Sequence, residues 1–141
     1  MTEIDHSPSS RLSGCRVLVV EDEILLAFEL IDELQELGAI PIGPVPTVAE
    51  ALAAIEATAI DAAMLNVHLR GQLSFAIANT LVERNIPFIF VTGNGSFVQE
   101  HFLDIPAYLK PYDLPEIVDA LELLIKKSEK TDSEQATKSS Q

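Results

Sequence analysis

Five short apolar runs, each followed by a stretch with helical periodicity, limit the folds open to this 141-residue chain more than any other feature. RVLVV (16–20) is apolar and largely β-branched, the pattern of a strand buried on both faces. Residues 23–37 then align Ile24, Ala27, Phe28, Ile31 and Leu34 on one helical stripe, and Gly38 stands where a helix C-terminal glycine belongs. AIPIG (39–43) predicts a second strand, and its proline puts that strand at an edge. Thr47 caps VAEALAAIEA, with Glu50 completing a capping box. DAAMLN (61–66) is the third strand, a helix is expected over 72–84, and IPFIFVTG carries the fourth strand. SFVQEHF predicts a short helix and AYLK (107–110) the fifth strand. Asp113 then caps a last amphipathic helix with Leu114, Ile117, Leu121 and Leu124 on one face and Glu116 three places after the cap. Strands alternating with helices in this way predict an α/β fold, a doubly wound five-stranded parallel sheet covered on both faces.

Composition narrows the function. The chain is 48% hydrophobic, enough for one real core, and carries 22 acidic against 9 basic residues, a net charge of −13. Nucleic-acid binding needs a basic footprint and is excluded as an expectation. No apolar run approaches the roughly 18 residues that span a membrane, and the polar N-terminus is not a signal peptide. The one cysteine, Cys15, forms no internal disulfide. A cytoplasmic protein is expected. Residues 1–14 and 128–141 are polar and lack periodicity, so both are expected to be disordered tails around a folded domain at 15–127.

In doubly wound sheets, function gathers at the carboxyl ends of the strands. Those ends hold Glu21, Asp22 and Glu23 after strand one, and Asn66 after strand three. Thr92 and Gly93 follow strand four, and Lys110 and Pro111 follow strand five. Adjacent carboxylates suit Mg²⁺, and a hydroxyl opposite an ammonium suits phosphoryl oxygens. Each piece alone has an ordinary explanation. Glu21 to Glu23 fit the acidic first turn of a helix, Thr92 and Gly93 fit a turn, and Lys110 fits a solvated lysine. His6, His68 and His101 show no metal-binding spacing. The co-occurrence at four strand ends is what the ordinary explanations do not predict.

VLVVEDE, the third strand with its terminal residue, FVTG and YLKPY, in this order and spacing, resemble the receiver domain of bacterial response regulators, CheY-like and flavodoxin-like in fold, over residues 15 to 126. PFIFVTG further resembles an often stand-alone subgroup whose fourth strand ends in Phe-Ala-Thr-Gly. Val91 replaces that alanine, and Gly95 stands where the subgroup usually has an aromatic. The resemblance implies a (βα)5 fold with strand order 2-1-3-4-5. It matches Glu21 and Asp22 to the acidic pair that binds Mg²⁺, with the backbone carbonyl of His68 as a further ligand. It matches position 66 to the phosphoacceptor aspartate, and Thr92 and Lys110 to the pair that grips the phosphoryl group. Tyr108 matches the aromatic that swings inward on activation, although a half-buried strand tyrosine explains it equally well. A cis peptide bond before Pro111 is implied too.

Asn66 departs from that pattern. A carboxylate oxygen can attack phosphorus, and a neutral amide cannot do so usefully, so this chain is not expected to take phosphate at position 66. Its amide oxygen can still meet a cation, with weakened Mg²⁺ binding. Three carboxylates about 5 Å apart would repel by roughly 3 kcal/mol per pair at an effective dielectric near 20, and the amide relieves part of that. Two origins stay open: a natural pseudo-receiver that binds partners without phosphate, or an ordinary receiver whose acceptor was replaced. The retained Glu21, Asp22, Thr92 and Lys110 lean toward an ordinary receiver parent.

Two other classes share this kind of fold and stay as lesser alternatives, because their motifs are missing. A haloacid-dehalogenase-type phosphatase needs an aspartate two residues after its nucleophile, and Glu23 and Ile24 follow Asp22. A flavodoxin-like nucleotide binder needs a glycine-rich first turn, and this one is acidic. The resemblance implies a signalling module in a two-component phosphorelay rather than an enzyme. Its expected partners are a histidine kinase and another response regulator or phosphotransfer protein, met as a monomer or weak dimer. Phe97, Phe102 and Tyr108 are the candidate contact surface, with anchoring of a short helix weighed equally for the two phenylalanines.

Overall fold

A computed structural model describes residues 11–93 and 102–139, with side chains described up to residue 128. In chain order the elements are β1 (Arg16–Val20), α1 (Ile24–Glu36), β2 (Ile40–Val45), α2 (Val48–Ala57), β3 (Ala62–Asn66), β4 (His68–Leu69), β5 (Gln72–Leu73), α3 (Phe75–Glu83), β6 (Phe88–Thr92), β7 (Ala107–Leu109) and α4 (Leu114–Ser139). Five strands form one sheet in the order β2-β1-β3-β6-β7, parallel throughout. Numbered among themselves these are 2-1-3-4-5, the order expected. The helix expected at SFVQEHF falls almost wholly on residues outside those described.

Alternation along the strands splits the core in two. Val17 and Val19 face α1 and α4, packing with Met64, Ile89, Val91 and Ile117. Leu18 and Val20 face α2 and α3, packing with Leu65, Phe88, Phe90 and Leu81. β3 and β6 are buried at every position, as a central parallel strand between two helix layers must be.

Local rules hold where one interaction decides them. The Thr47 side chain accepts the Glu50 amide hydrogen bond at 3.1 Å and starts α2. Gly38 closes α1 with φ 89°. Gly43 has φ 120°, and a Cβ there would stand 2.7 Å from the Val19 carbonyl oxygen, so only glycine fits beside β1.

Three expectations need correction. α1 buries Ala27, Leu30, Ile31 and Leu34, while Ile24 and Phe28 of the expected stripe are exposed. The segment ILLAFELI is apolar around most of its circumference, so periodicity alone does not choose the inner face. On α4, Leu114 and Leu124 are only partly buried, and Val118 and Ile125 join Ile117 and Leu121 in the core. Residues 72–74 do not begin a helix. Gln72 and Leu73 pair with Leu69 and His68 in an antiparallel hairpin, and Arg70 and Gly71 turn it at φ 48° and 83°. A two-residue turn with both φ positive matches the twist of a tight hairpin.

Two features lie outside the expected bounds of 15–127. Leu12 is 1% exposed, and its amide donates to the Leu37 carbonyl at 2.9 Å. α4 runs on to Ser139, through a Glu-, Lys-, Gln- and Ala-bearing segment that prolongs a helix once it is nucleated.

Candidate functional site

The carboxyl ends of β1, β3, β6 and β7 bring the expected polar residues together. Parallel pairing aligns them: Asn66 lies opposite Val91, one residue before Thr92, and Thr92 lies opposite Leu109, one residue before Lys110. The Lys110 amide donates to the Thr92 carbonyl at 2.9 Å, which fixes the start of the Lys110–Pro111 loop. The Lys110–Pro111 bond is cis. So is Gly43–Pro44, which no sequence signal singled out.

Glu21, Asn66 and Thr92 are buried polar side chains among apolar neighbours, so each needs hydrogen-bond partners. The Asn66 amide nitrogen donates to Glu21 Oε2 at 3.0 Å and to Asp22 Oδ1 at 3.2 Å. That orientation is the one the chemistry requires, since turning the amide oxygen inward would set lone pairs against two carboxylates. Asp22 Oδ2 accepts the Arg70 amide at 2.9 Å, which ties the β4–β5 turn to the pocket. Glu21 Oε2 also accepts the Glu23 amide at 3.1 Å.

Lys110 closes the other side. Its Nζ lies 3.0 Å from Glu21 Oε1 and 3.2 Å from Oε2, and it also pairs with Glu23. Oε1 is ion-paired with the ammonium but takes no well-aligned hydrogen bond, so it remains a buried acceptor without a hydrogen-bond donor. Burial pushes the Glu21 carboxyl above its usual range, against the Glu23 amide and the Lys110 ammonium, which pull it down. Burial works to lower the Lys110 pKa, but its bonds to Glu23 and Glu21 outweigh that and hold it above the ordinary lysine value. Tyr112 lies close by with its hydroxyl buried and unpartnered, and burial with the nearby carboxylates raises its pKa.

Other expected residues stand differently. The His68 side chain is exposed in the hairpin, which leaves only its backbone facing the question of ligation. Tyr108 is half-buried in β7 against the α1–α4 core. Phe102 stacks on Phe75 and Phe90 with ring centroids at 5.3 and 5.4 Å, so it anchors to the sheet rather than presenting a surface. Phe97 lies outside the described residues. Sequence reasoning missed Glu23 as a partner of Lys110, and it missed the exposed apolar start of α1. There Leu25 is 84% exposed beside Ile24 and Phe28. Ile24 and Leu25, together with Glu23, Glu29, Lys110 and Pro111, edge a shallow cleft.

A cation fits this pocket in part. Glu21 Oε1 and Asp22 offer carboxylate oxygens, and a turned Asn66 amide would offer a third oxygen. No group of three or more His, Cys, Asp or Glu side chains that could hold a metal occurs among the described residues. An amide at position 66 contributes no third carboxylate beside Glu21 and Asp22.

No family model and no curated protein matches the chain. Solved structures do. The solution structure of SdrG from Sphingomonas melonis Fr1 is 42% identical over 82% of this chain and 98% of that one, with a TM-score of 0.68. SdrG has also been solved in a BeF3-activated conformation. The response regulator PhyR from Brucella abortus superposes at TM-score 0.75 and 24% identity, over 89% of this chain and 53% of PhyR. A CheY-like receiver domain from Methanospirillum hungatei JF-1 superposes at 0.75 and 22%, over 84% of this chain and 99% of that one. The last two show the fold, and the likeness to SdrG carries relationship beyond fold. With the receiver topology and the acidic pocket at its carboxyl edge, the chain belongs to the response regulator receiver (CheY-like) family of two-component signalling.

Proposed function

We propose that this chain signals by protein contact from a receiver pocket that does not take phosphate at position 66. Asn66 carries the reading. It ends β3 where a phosphoacceptor is expected, and its amide bridges Glu21 and Asp22. Glu21 and Asp22 are the acidic pair, Thr92 and Lys110 the phosphoryl-gripping pair, and Tyr108 the switch aromatic. The neighbours are signalling modules, and the role proposed here is signalling rather than catalysis.

Receiver domains generally bind Mg²⁺ at their acidic pocket. In this chain Glu21, Asp22, the Asn66 amide oxygen and the His68 carbonyl would hold it, more weakly than with an aspartate at 66. Bound there, the ion would neutralise oxygens of a phosphoryl group. The chain's own residues do the rest: Lys110 supplies a cation beside Glu21, and β6 holds Thr92 one residue beyond the partner of Asn66. Receiver domains interact with histidine kinases or other signalling proteins. The exposed Ile24, Leu25 and Phe28 beside the pocket support a kinase or phosphotransfer protein as partner, in the cytoplasm.

A second reading has its own support. The Asn66 amide nitrogen donates to both carboxylates, and Asp22 also accepts the Arg70 amide, so the pocket is held in one arrangement without phosphate. That favours a phosphorylation-independent binding module. Labelling separates the two. Acetyl phosphate with Mg²⁺ should label Asn66→Asp and leave the unaltered chain unlabelled. Failure of the Asp variant to take label supports the binding module and refutes a latent acceptor. Label on the unaltered chain refutes the assignment of position 66.

A further inference from the structure

Glu23 has no place in the pocket assigned above, yet it makes a direct contact with Lys110. It is the N-cap residue of α1, but its side chain makes no capping bond. The two acids that share the ammonium differ in surroundings. Glu21 is fully buried, whereas the Glu23 side chain is 61% exposed, and Lys110 is 15% exposed between them. Glu21 is a fixed arm, held by the Glu23 amide and the Asn66 amide as well. Glu23 is a free arm at the rim.

We propose that Glu23 is a positioning residue that draws Lys110 to the outer edge of the pocket and competes with any anion placed against position 66. The inference rests on the reading that this pocket grips a phosphoryl group. An ammonium has three donors and no more. Glu21 and Glu23 take two of them, so a phosphoryl oxygen can meet only the third unless Glu23 lets go and Lys110 turns inward. An exposed ion pair of this kind is weak, worth about fivefold at most in an equilibrium, so it suits a contact that must exchange. A buried clamp would hold the lysine permanently, and no clamp would leave it free beside Glu21. The position of Glu23 gives the intermediate case.

The test uses the full chain carrying Asn66→Asp, with beryllofluoride and Mg²⁺, and binding followed by fluorine NMR. Adding Glu23→Gln should tighten beryllofluoride roughly fivefold, the release of one exposed ion pair. Glu29→Gln removes a neighbouring negative charge that does not touch Lys110, and it should leave the affinity within about twofold. Unchanged affinity in Glu23→Gln overturns the proposal. Equal tightening in Glu29→Gln overturns it too, because the effect would then be the general field. No binding by Asn66→Asp itself would refute the phosphoryl pocket, a separate failure. A second measurement needs no anion: in the unaltered chain, Glu23→Gln should raise the rate of Lys110 acetylation by a soluble active ester about threefold relative to Lys126. An equal rate in the two proteins overturns the clamp whatever beryllofluoride does.

Discussion

Two cations in this molecule each sit between two carboxylates, and their surroundings are opposite. Lys110 lies at the carboxyl end of the sheet between a fully buried Glu21 and an exposed Glu23. Arg11 lies outside α4, 2.7 Å from Asp119 and 2.5 Å from Glu122, in contact with solvent. The chemistry is the same: one cation, two acids, one long-range crossing of the chain. The consequences differ because desolvation scales with burial. At Lys110 the acid is pushed up and needs its cation. At Arg11 the cation pulls the Glu122 carboxyl below its usual range, with burial only partly opposing it. One cluster sets the state of a pocket, and the other fastens an end of the chain.

The largest break in the comparison comes from the residue the Arg11 cluster lacks. Asn66→Asp turns two donated hydrogen bonds, at 3.0 and 3.2 Å, into two like-charge contacts. Each such contact is worth up to about 4 kcal/mol at an effective dielectric of 20, and Lys110 and solvent reduce the sum. Without Mg²⁺ the variant should lose about 3 kcal/mol, which lowers Tm by roughly 10 °C in a domain of this size. Millimolar Mg²⁺ should restore most of it, while the Tm of the unaltered chain should move little. Calorimetry with and without the ion checks both. Equal Tm values in metal-free buffer would mean that the Asn66 amide does not offset the acids.

Lys110→Met probes the same pocket from the other side. Glu21 would stay buried beside Asn66 without its cation. Loss of a buried ion's partner costs about 3 kcal/mol when both are fully buried, and the 15% exposure of Lys110 brings the expectation nearer 2. The penalty should depend on pH in a definite direction. A carboxyl whose folded pKa lies above its unfolded value binds protons more readily in the folded state, so stability rises as pH falls through the folded value. Burial already places Glu21 on that side, and the variant moves it further. The deficit against the parent should therefore shrink on acidification, starting above the ordinary glutamate range. Urea melts at pH 7 and pH 5 test this, and a deficit that grows toward pH 5 would contradict it.

What the sequence disclosed follows the range of the interactions involved. β1, β3 and β6 were legible because a strand buried on both faces is a continuous apolar run. The pocket residues were legible because parallel strands end at one edge, so each strand's last residues meet without further information. The face of α1 was not, since ILLAFELI offers more apolar positions than one side can bury. The β4–β5 hairpin carried a usable signal, Arg70-Gly71 between two short alternating pairs, hidden by the helix pattern that begins three residues later. Glu23 as a partner of Lys110 could not be found locally, because side-chain reach across 87 residues decides it. The Arg11 contacts lie further still, at separations of 108 and 111, in a segment whose composition alone reads as a tail.

Those Arg11 contacts set the smallest expected effect and the sharpest contrast. Arg11→Ala should cost less than about 1 kcal/mol at pH 7, since the pairs are solvent-exposed and side-chain ordering offsets much of their attraction. Leu12 keeps its buried place and its bond to Leu37, so the segment should stay docked. The pH window is the reverse of the one at Lys110. Glu122 has a folded pKa below its unfolded value, so its contribution is present above the ordinary glutamate pKa of about 4.3 and fades as pH falls through the lower folded value. The Arg11→Ala deficit should thus persist at pH 5, where the Lys110→Met deficit is already closing, and vanish only in stronger acid. It should also shrink in about 1 M salt, where the screening length is near 3 Å, while the Lys110→Met deficit holds. Matching pH and salt profiles for the two variants would show that burial does not separate the clusters.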